Sequence, residues 1–95
     1  MSYNLFYHPE IKKESLPSIP VNMKERIKRA IEERLLTGPE RYGEPLKRGL
    51  QGYRKLRAGD YRVVYKVSRE NIIILKIGHR KEVYRKACLR IKNLP

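Results

Sequence analysis

Three observations on this 95-residue chain predict an α+β domain with helices packed on an antiparallel sheet. Apolar residues recur at helical spacing between Met23 and Leu35. After residue 53 the period changes to that of strands, and Gly59-Asp60 divides two strand-like runs as a two-residue hairpin turn would. The order that follows is β-α-α-β-β-β-α, in a single domain over residues 1–95, because no stretch reads as a linker and the length suits one small core.

Tyr3 to Tyr7 reads as a short aromatic strand, stopped by Pro9. Residues 9–16 suit a helix with Pro9 in its first turn, where the missing N–H is harmless. Pro17 and Pro20 bracket a tight connection. Met23, Ile27, Ala30, Ile31 and Leu35 then step by four and three residues, giving one apolar stripe. Lys24, Lys28, Glu32 and Glu33 fall largely off it and form a solvated face, and Thr37-Gly38-Pro39 ends the element. Residues 39–52 contain Pro39, Gly43, Pro45, Gly49 and Gly52, an irregular connector anchored by Leu46 and Leu50. Strands are expected over 53–58, 61–68 and 71–78, then a closing helix over 81–92 with Val83, Ala87, Ile91 and Leu94 on its core stripe.

Charge is distributed unevenly along this pattern. Residues 51–95 hold 13 Lys/Arg against three acids, a net of +10, whereas residues 1–50 hold 10 against seven, a net of +3. With a pI near 10.2, this asymmetry points to an anionic partner, nucleic acid before a small molecule. The single cysteine, Cys88, allows no internal disulfide and fits a reducing cytoplasm. Its place in the closing helix suggests packing. The longest apolar run, Ile72 to Leu75, is too short to cross a bilayer and no targeting segment is visible, so a cytoplasmic protein without membrane contact is expected.

If the hairpin loop is Gly59-Asp60 alone, Arg57 lies opposite Arg62, Lys55 opposite Val64, and Tyr53 opposite Lys66. Lys55, Arg57 and Arg62 then share one face, and Leu56 and Val63 take the other. Two arginines directly opposed destabilise a sheet unless an anion lies between them or both splay into water. Neither His8 nor His79 belongs to a cluster with metal-ligand spacing, and no phosphate-binding or dinucleotide loop is present, so no metal or cofactor is implied.

Lys, Arg, Tyr and one His suffice for one reaction on RNA, attack of a 2′-hydroxyl on the adjacent phosphate. It needs a base, cations for the developing charge and a donor to the leaving oxygen. Lys55, grouped in sequence with Arg54, Arg57 and Arg62, is the candidate base, since like charge favours the neutral amine that a base requires. A plain phosphate-binding lysine is the simpler alternative. The second candidate group is Gly78-His79-Arg80-Lys81-Glu82-Val83-Tyr84, where strand gives way to helix. Arg80 and Tyr84 can both lean over the sheet end there, the tyrosine as a stacking platform or as a half-buried helix residue. His79 is either a proton carrier or a loop cap.

The segments Leu56-Arg57-Ala58-Gly59-Asp60-Tyr61-Arg62-Val63-Val64-Tyr65 and Ile77-Gly78-His79-Arg80-Lys81-Glu82-Val83-Tyr84 resemble the RelE branch of the RelE/ParE toxin superfamily. The likeness spans nearly the whole chain, and the Gly-His-Arg-x-x-Val-Tyr segment is the more discriminating motif. It implies a RelE-like fold and a type II toxin that enters the ribosomal A site and cuts mRNA without a metal or cofactor. It also implies a cognate antitoxin as partner, in a toxin–antitoxin hetero-oligomer.

By position, the resemblance makes Lys55 the basic catalytic residue and Arg62 the phosphate-stabilising arginine. Arg80 assists charge stabilisation or the leaving group, Tyr84 orients the nucleotide, and Arg57 supports the phosphate. Arg54, His79 and Lys81 complete the RNA-binding set. Tyr53 stands where some members carry a further lysine, and the spacing from Arg80 to Tyr84 is shorter than in the best-studied pattern. Two other functions remain open: a gyrase inhibitor, as in the ParE branch, and an RNA-binding module without catalysis.

Overall fold

In the computed structural model, which describes residues 3–92, β1 (Asn4–Tyr7), β2 (Glu44–Pro45), β3 (Arg54–Ala58), β4 (Tyr61–Ser68) and β5 (Asn71–His79) form one sheet in the order β1-β5-β4-β3-β2. The α+β class and the three central strands are as the sequence predicts. Every pairing is antiparallel except that of β1, which runs parallel to β5 with Asn4 opposite Asn71.

The N-terminal helical region is shorter and wider than expected. Ile11–Ser15 forms one broad turn closed by the Leu16 N–H on the Ile11 carbonyl, and Leu16–Ser18 tightens around Pro17. Helix α1 (Val21–Ala30) starts after Pro20 and continues through a second broad turn, Ile31–Leu35, in which the Leu36 N–H reaches the Ile31 carbonyl at 3.1 Å. An i to i+5 turn of this kind adds a residue to the helix circumference. The predicted stripe is what the helix buries: Ile27, Ala30, Ile31 and Leu35 are all in the core. Thr37 Oγ1 donates to the Glu33 carbonyl at 2.8 Å and helps close the end.

The connector holds more order than its glycines and prolines suggest, namely α2 (Pro39–Tyr42) and the edge strand β2. After β5, α3 (Val83–Lys92) closes the fold two residues later than expected; Leu94, predicted on its stripe, lies outside the described residues.

The sheet is covered on both faces. Leu56, Ala58, Val63, Tyr65, Ile72, Ile74 and Ile77 pack under α1 and its extension. Val64 and Leu75 pack under Val83 and Ala87 of α3, with Leu50 from the connector. A bulge makes this division possible. Val64 faces Lys76 and Tyr65 faces Ile74, so Leu75 is the extra residue on β5. The alternation restarts there, as bulges require.

Tyr65 is fully buried and its hydroxyl donates to the Pro39 carbonyl, tying β4 to α2. Burial pushes its phenol up to about 12. A folded-state value above the unfolded 10 gives stability that is complete below pH 10 and lost as the pH rises to about 12. Tyr65→Phe is therefore expected to cost about 1–2 kcal/mol at neutral pH, the penalty of an orphaned buried carbonyl. It should also lose stability less steeply between pH 10 and 12, which urea unfolding at pH 7 and 11 would measure.

Candidate active site on the hairpin

The β3–β4 hairpin has the register expected of a Gly59-Asp60 loop: Arg57 opposite Arg62, Lys55 opposite Val64. Gly59 supplies a φ of +63° at the first loop position, where a side chain would be strained. Continuing across the sheet, Arg62 faces Gly78 and Val64 faces Lys76. Lys55, Arg57 and Arg62 thus lie on the α3 side. A side chain at Gly78 would meet Val83 at 3.4 Å, so the start of α3 sits directly on this strand end.

Three side-chain contacts organise the face. Lys55 Nζ lies 5.7 Å from the centre of the Tyr84 ring, joining β3 to the first turn of α3. The charged partner of Lys55 is Glu44 of β2, with Oε2 at 3.7 Å. At the other end Arg80 is held to the hairpin turn: its N–H donates to the Asp60 carbonyl at 2.8 Å, and its Nε lies 3.9 Å from Asp60 Oδ1. Arg80 lies at the hairpin turn, whereas Tyr84 lies over Lys55 near the other end of β3, so the two are not brought together at one sheet end.

Other expected residues are placed differently. Arg54 does not crowd Lys55: strand alternation puts it on the Tyr65 face, where its Nη1 donates to the carbonyls of Glu40 and Gly43 at 3.2 and 2.9 Å. Arg62 is only 8% exposed, and its Nη1 donates to the Gly59 and Tyr61 carbonyls at 2.8 and 2.9 Å. These bonds relieve the opposition to Arg57 without an anion between the two, and they leave Nε and Nη2 to meet one. Arg57 is exposed.

His79 stands edge-on to Tyr61 at 5.6 Å, on the strand position opposite it, and so on the other face from Lys55. Its Nδ1 accepts the Lys81 N–H at 3.2 Å, the loop cap that the sequence left open as an alternative. The Lys81 side chain is exposed beside it.

Two features escaped the sequence reading. Glu44 reaches Lys55 only because Glu44-Pro45 forms an edge strand, and a proline on an edge is the single hint in the sequence. The other is an ionic cluster of two buried cations and the exposed Glu14 beside a cavity of about 770 Å³, between the Ile11–Ser15 turn and α3. There Glu14 Oε2 lies 3.7 Å from Lys76 Nζ and 3.1 Å from Arg90 Nη2, and Arg90 Nη1 donates to the Leu75 carbonyl at 2.8 Å. Burial, and then Arg90, hold the Lys76 ammonium below its ordinary value. Its charge is thus a cost at neutral pH that fades as the pH rises towards 10.5. Because Arg90 still pairs Glu14 without it, Lys76→Met is expected to stabilise the fold by about 1 kcal/mol, raising Tm by roughly 4–8 °C in a thermal melt.

The chain and its fold are similar to those of known toxins. Residues 5–84 match the family model described as the ParE toxin of type II toxin–antitoxin systems. The chain is similar to toxin RelG of Mycobacterium tuberculosis, 40% identical over 50 residues that cover 50% of this chain and 58% of RelG, little more than half that relative's length. The fold is similar to that in the RelBE2 toxin–antitoxin complex of M. tuberculosis, at TM-score 0.75 and 26% identity over 84% of this chain and 100% of that one. It is also similar to a free variant of the Escherichia coli toxin RelE, at TM-score 0.70 and 29% identity over 96% and 99% of the two chains.

Proposed function

This chain belongs to the ParE toxin family of type II toxin–antitoxin systems, in the RelE branch of that superfamily, and from that premise we propose that it is a ribosome-dependent endoribonuclease that cuts mRNA in the A site. The observation that carries the proposal is the pairing of Lys55 with Tyr84 across β3 and α3, on the strand face that also bears Arg57 and Arg62. A basic amine, an aromatic face and two guanidinium groups along one strand face are what this reading rests on.

On this reading a base of the mRNA stacks on Tyr84, an interaction of about 1–3 kcal/mol. Lys55 takes the proton of the 2′-hydroxyl as its oxygen bonds to phosphorus, and the bond to the 5′-oxygen breaks. The products are a cyclic phosphate and a 5′-hydroxyl. Arg57 and the remaining donors of Arg62 stabilise the charge on the phosphorane, and Arg80 serves the leaving oxygen. Glu44 holds the Lys55 side chain in place from β2. No metal or cofactor is required by this scheme. A cognate antitoxin, as in the RelBE2 complex, would hold the toxin inactive.

The test is primer extension on a defined mRNA with purified protein, with and without programmed ribosomes. New 5′ ends only with ribosomes are expected. Cuts on naked RNA would remove ribosome dependence, and their absence in both would overturn the nuclease. The family model's description as a ParE toxin favours one second reading, inhibition of DNA gyrase by binding alone. A supercoiling assay on the same protein separates the two.

A further inference from the structure

Among the described residues one buried polar side-chain atom lacks a hydrogen-bond partner, the Ser15 Oγ, on a residue only 2% exposed. A buried hydroxyl without a partner is costly, and native folds rarely keep one. Ser15 lines the cavity of about 770 Å³ between the Ile11–Ser15 turn and α3. Lys76, 5% exposed, lines the same cavity from β5. Its Nζ meets Glu14 Oε2 at 3.7 Å, longer than a hydrogen bond, so that contact is ionic and uses no donor.

Two imidazoles add donors. His8 Nδ1 accepts the Glu10 N–H at 3.1 Å, and His79 Nδ1 accepts the Lys81 N–H at 3.2 Å. A ring nitrogen that accepts carries no proton, so each ring has its N–H at Nε2. Burial and then Arg90 hold the His8 imidazole below its ordinary value, which keeps it neutral at neutral pH. Both rings line the cavity, which takes up where the pairing of β1 with residues 71–74 of β5 stops.

Such a set of donors suits an oxyanion. Four cations and three carboxylates line the cavity, an excess of one positive charge. Two of the carboxylates are engaged, Glu82 by Lys86 at 3.3 Å and Glu14 by Arg90 at 3.1 Å. Glu10, the third, weakens the field without reversing it. A phosphate monoester offers three acceptor oxygens to separate donors, where a carboxylate offers two. The space exceeds what a phosphate ion fills and is of the size that holds a small organic ligand. Tyr61, edge-on to His79 at 5.6 Å, lines it together with Leu89 and gives the organic part a wall.

We infer that this cavity binds a small phosphorylated ligand, its phosphate held by Lys76 and Ser15 and its organic part against Tyr61 and Leu89. The site lies on the flank of α3 that bears Lys86 and Arg90, whereas Tyr84 packs toward Leu50 and Val64, and it does not depend on the nuclease reading. A ligand there would tie the N-terminal turn, β5 and α3 together, and α3 is the helix that carries Tyr84.

The experiment is isothermal titration calorimetry of the purified chain with adenosine 5′-monophosphate, adenosine and inorganic phosphate. Wild type is expected to bind the monophosphate most tightly. Ser15→Ala and Lys76→Met should each weaken it about 10-fold or more, the loss expected of a hydrogen bond to a charged group. Both variants keep the fold, since the first removes a hydroxyl that has no partner and the second a buried charge. Ser15→Ala leaves the net charge at +13, so diffuse attraction of anions to a basic chain does not account for its effect. Equal affinities of wild type and Ser15→Ala would overturn the site, as would failure of both phosphates to bind. Inorganic phosphate binding as tightly as the monophosphate would overturn the part given to Tyr61 and Leu89, and adenosine binding as tightly would overturn the phosphate. Tighter binding of a short single-stranded RNA, lost in Ser15→Ala, would assign the cavity to an RNA chain and overturn the small ligand.

Discussion

Lys55→Met is expected to slow cleavage on programmed ribosomes by about 10²- to 10⁴-fold, the range over which a positioned proton acceptor contributes. The structure makes this a cleaner probe than Arg62. Lys55 is on the sheet margin, and its ion pair with the exposed Glu44 contributes little to stability. Methionine keeps the aliphatic stem that lies toward Tyr84. Arg62, in contrast, pins the hairpin turn through two carbonyls, so its truncation loosens the turn as well as the site. The single-turnover rate of new 5′ ends should collapse while Tm stays within a few degrees. A rate within a few-fold of wild type would remove Lys55 from the chemistry, and a gyrase inhibitor would tolerate the change altogether.

Gly43→Ala is expected to destabilise the domain by about 3 kcal/mol, at the upper end of overpacking costs. For a domain of this size that lowers Tm by roughly 12–24 °C. The cause is close approach: a methyl group on Gly43 would overlap the Tyr65 hydroxyl. Neither group can step aside, because the Tyr65 ring is fully buried and bound to Pro39, and Arg54 holds the Gly43 carbonyl at 2.9 Å. Combining Gly43→Ala with Tyr65→Phe should recover part of the loss, since the atom struck first is then absent, and the two costs should fail to add. Additive losses in chemical denaturation would contradict the packing argument. Glu44 follows Gly43, so the single variant also disturbs the carboxylate beside Lys55.

What the sequence made legible was local. Gly59-Asp60 fixes the hairpin register, and from that register alone Lys55, Arg57 and Arg62 fall on one face. The stripe from Ile27 to Leu35 predicts which side of α1 is buried. What it hid depends on distant contacts or on one-residue irregularities. Arg54 sits beside Lys55 in sequence and on the opposite face in space. Glu44 is a connector residue until β2 pairs with β3. The bulge at Leu75 restarts the strand alternation, so Leu75 and Lys76 both turn to the α3 side while Ile74 and Ile77 share the other. The burial of a lysine between Glu14 and Arg90 follows from that extra residue, and no periodicity announces it.

The parallel pairing of β1 with β5 sets an order of assembly. Asn4 meets Asn71 across 67 residues of chain, and Glu14 meets Arg90 across 76. At about 5–20 residues per second of synthesis, β1 waits roughly 3–13 s for its neighbour. Its Phe6 and Tyr7 remain half exposed even in the finished fold. The β3–β4–β5 meander closes through short loops and forms early, because local contacts cost the least loop entropy. Tyr84 belongs to α3, which follows all five strands in the chain, so Lys55 acquires its aromatic neighbour only after the sheet's last strand has been made. The nascent chain thus carries the β3–β4 hairpin before the proposed cutting face is complete, and β1 stays unpaired until β5 is made.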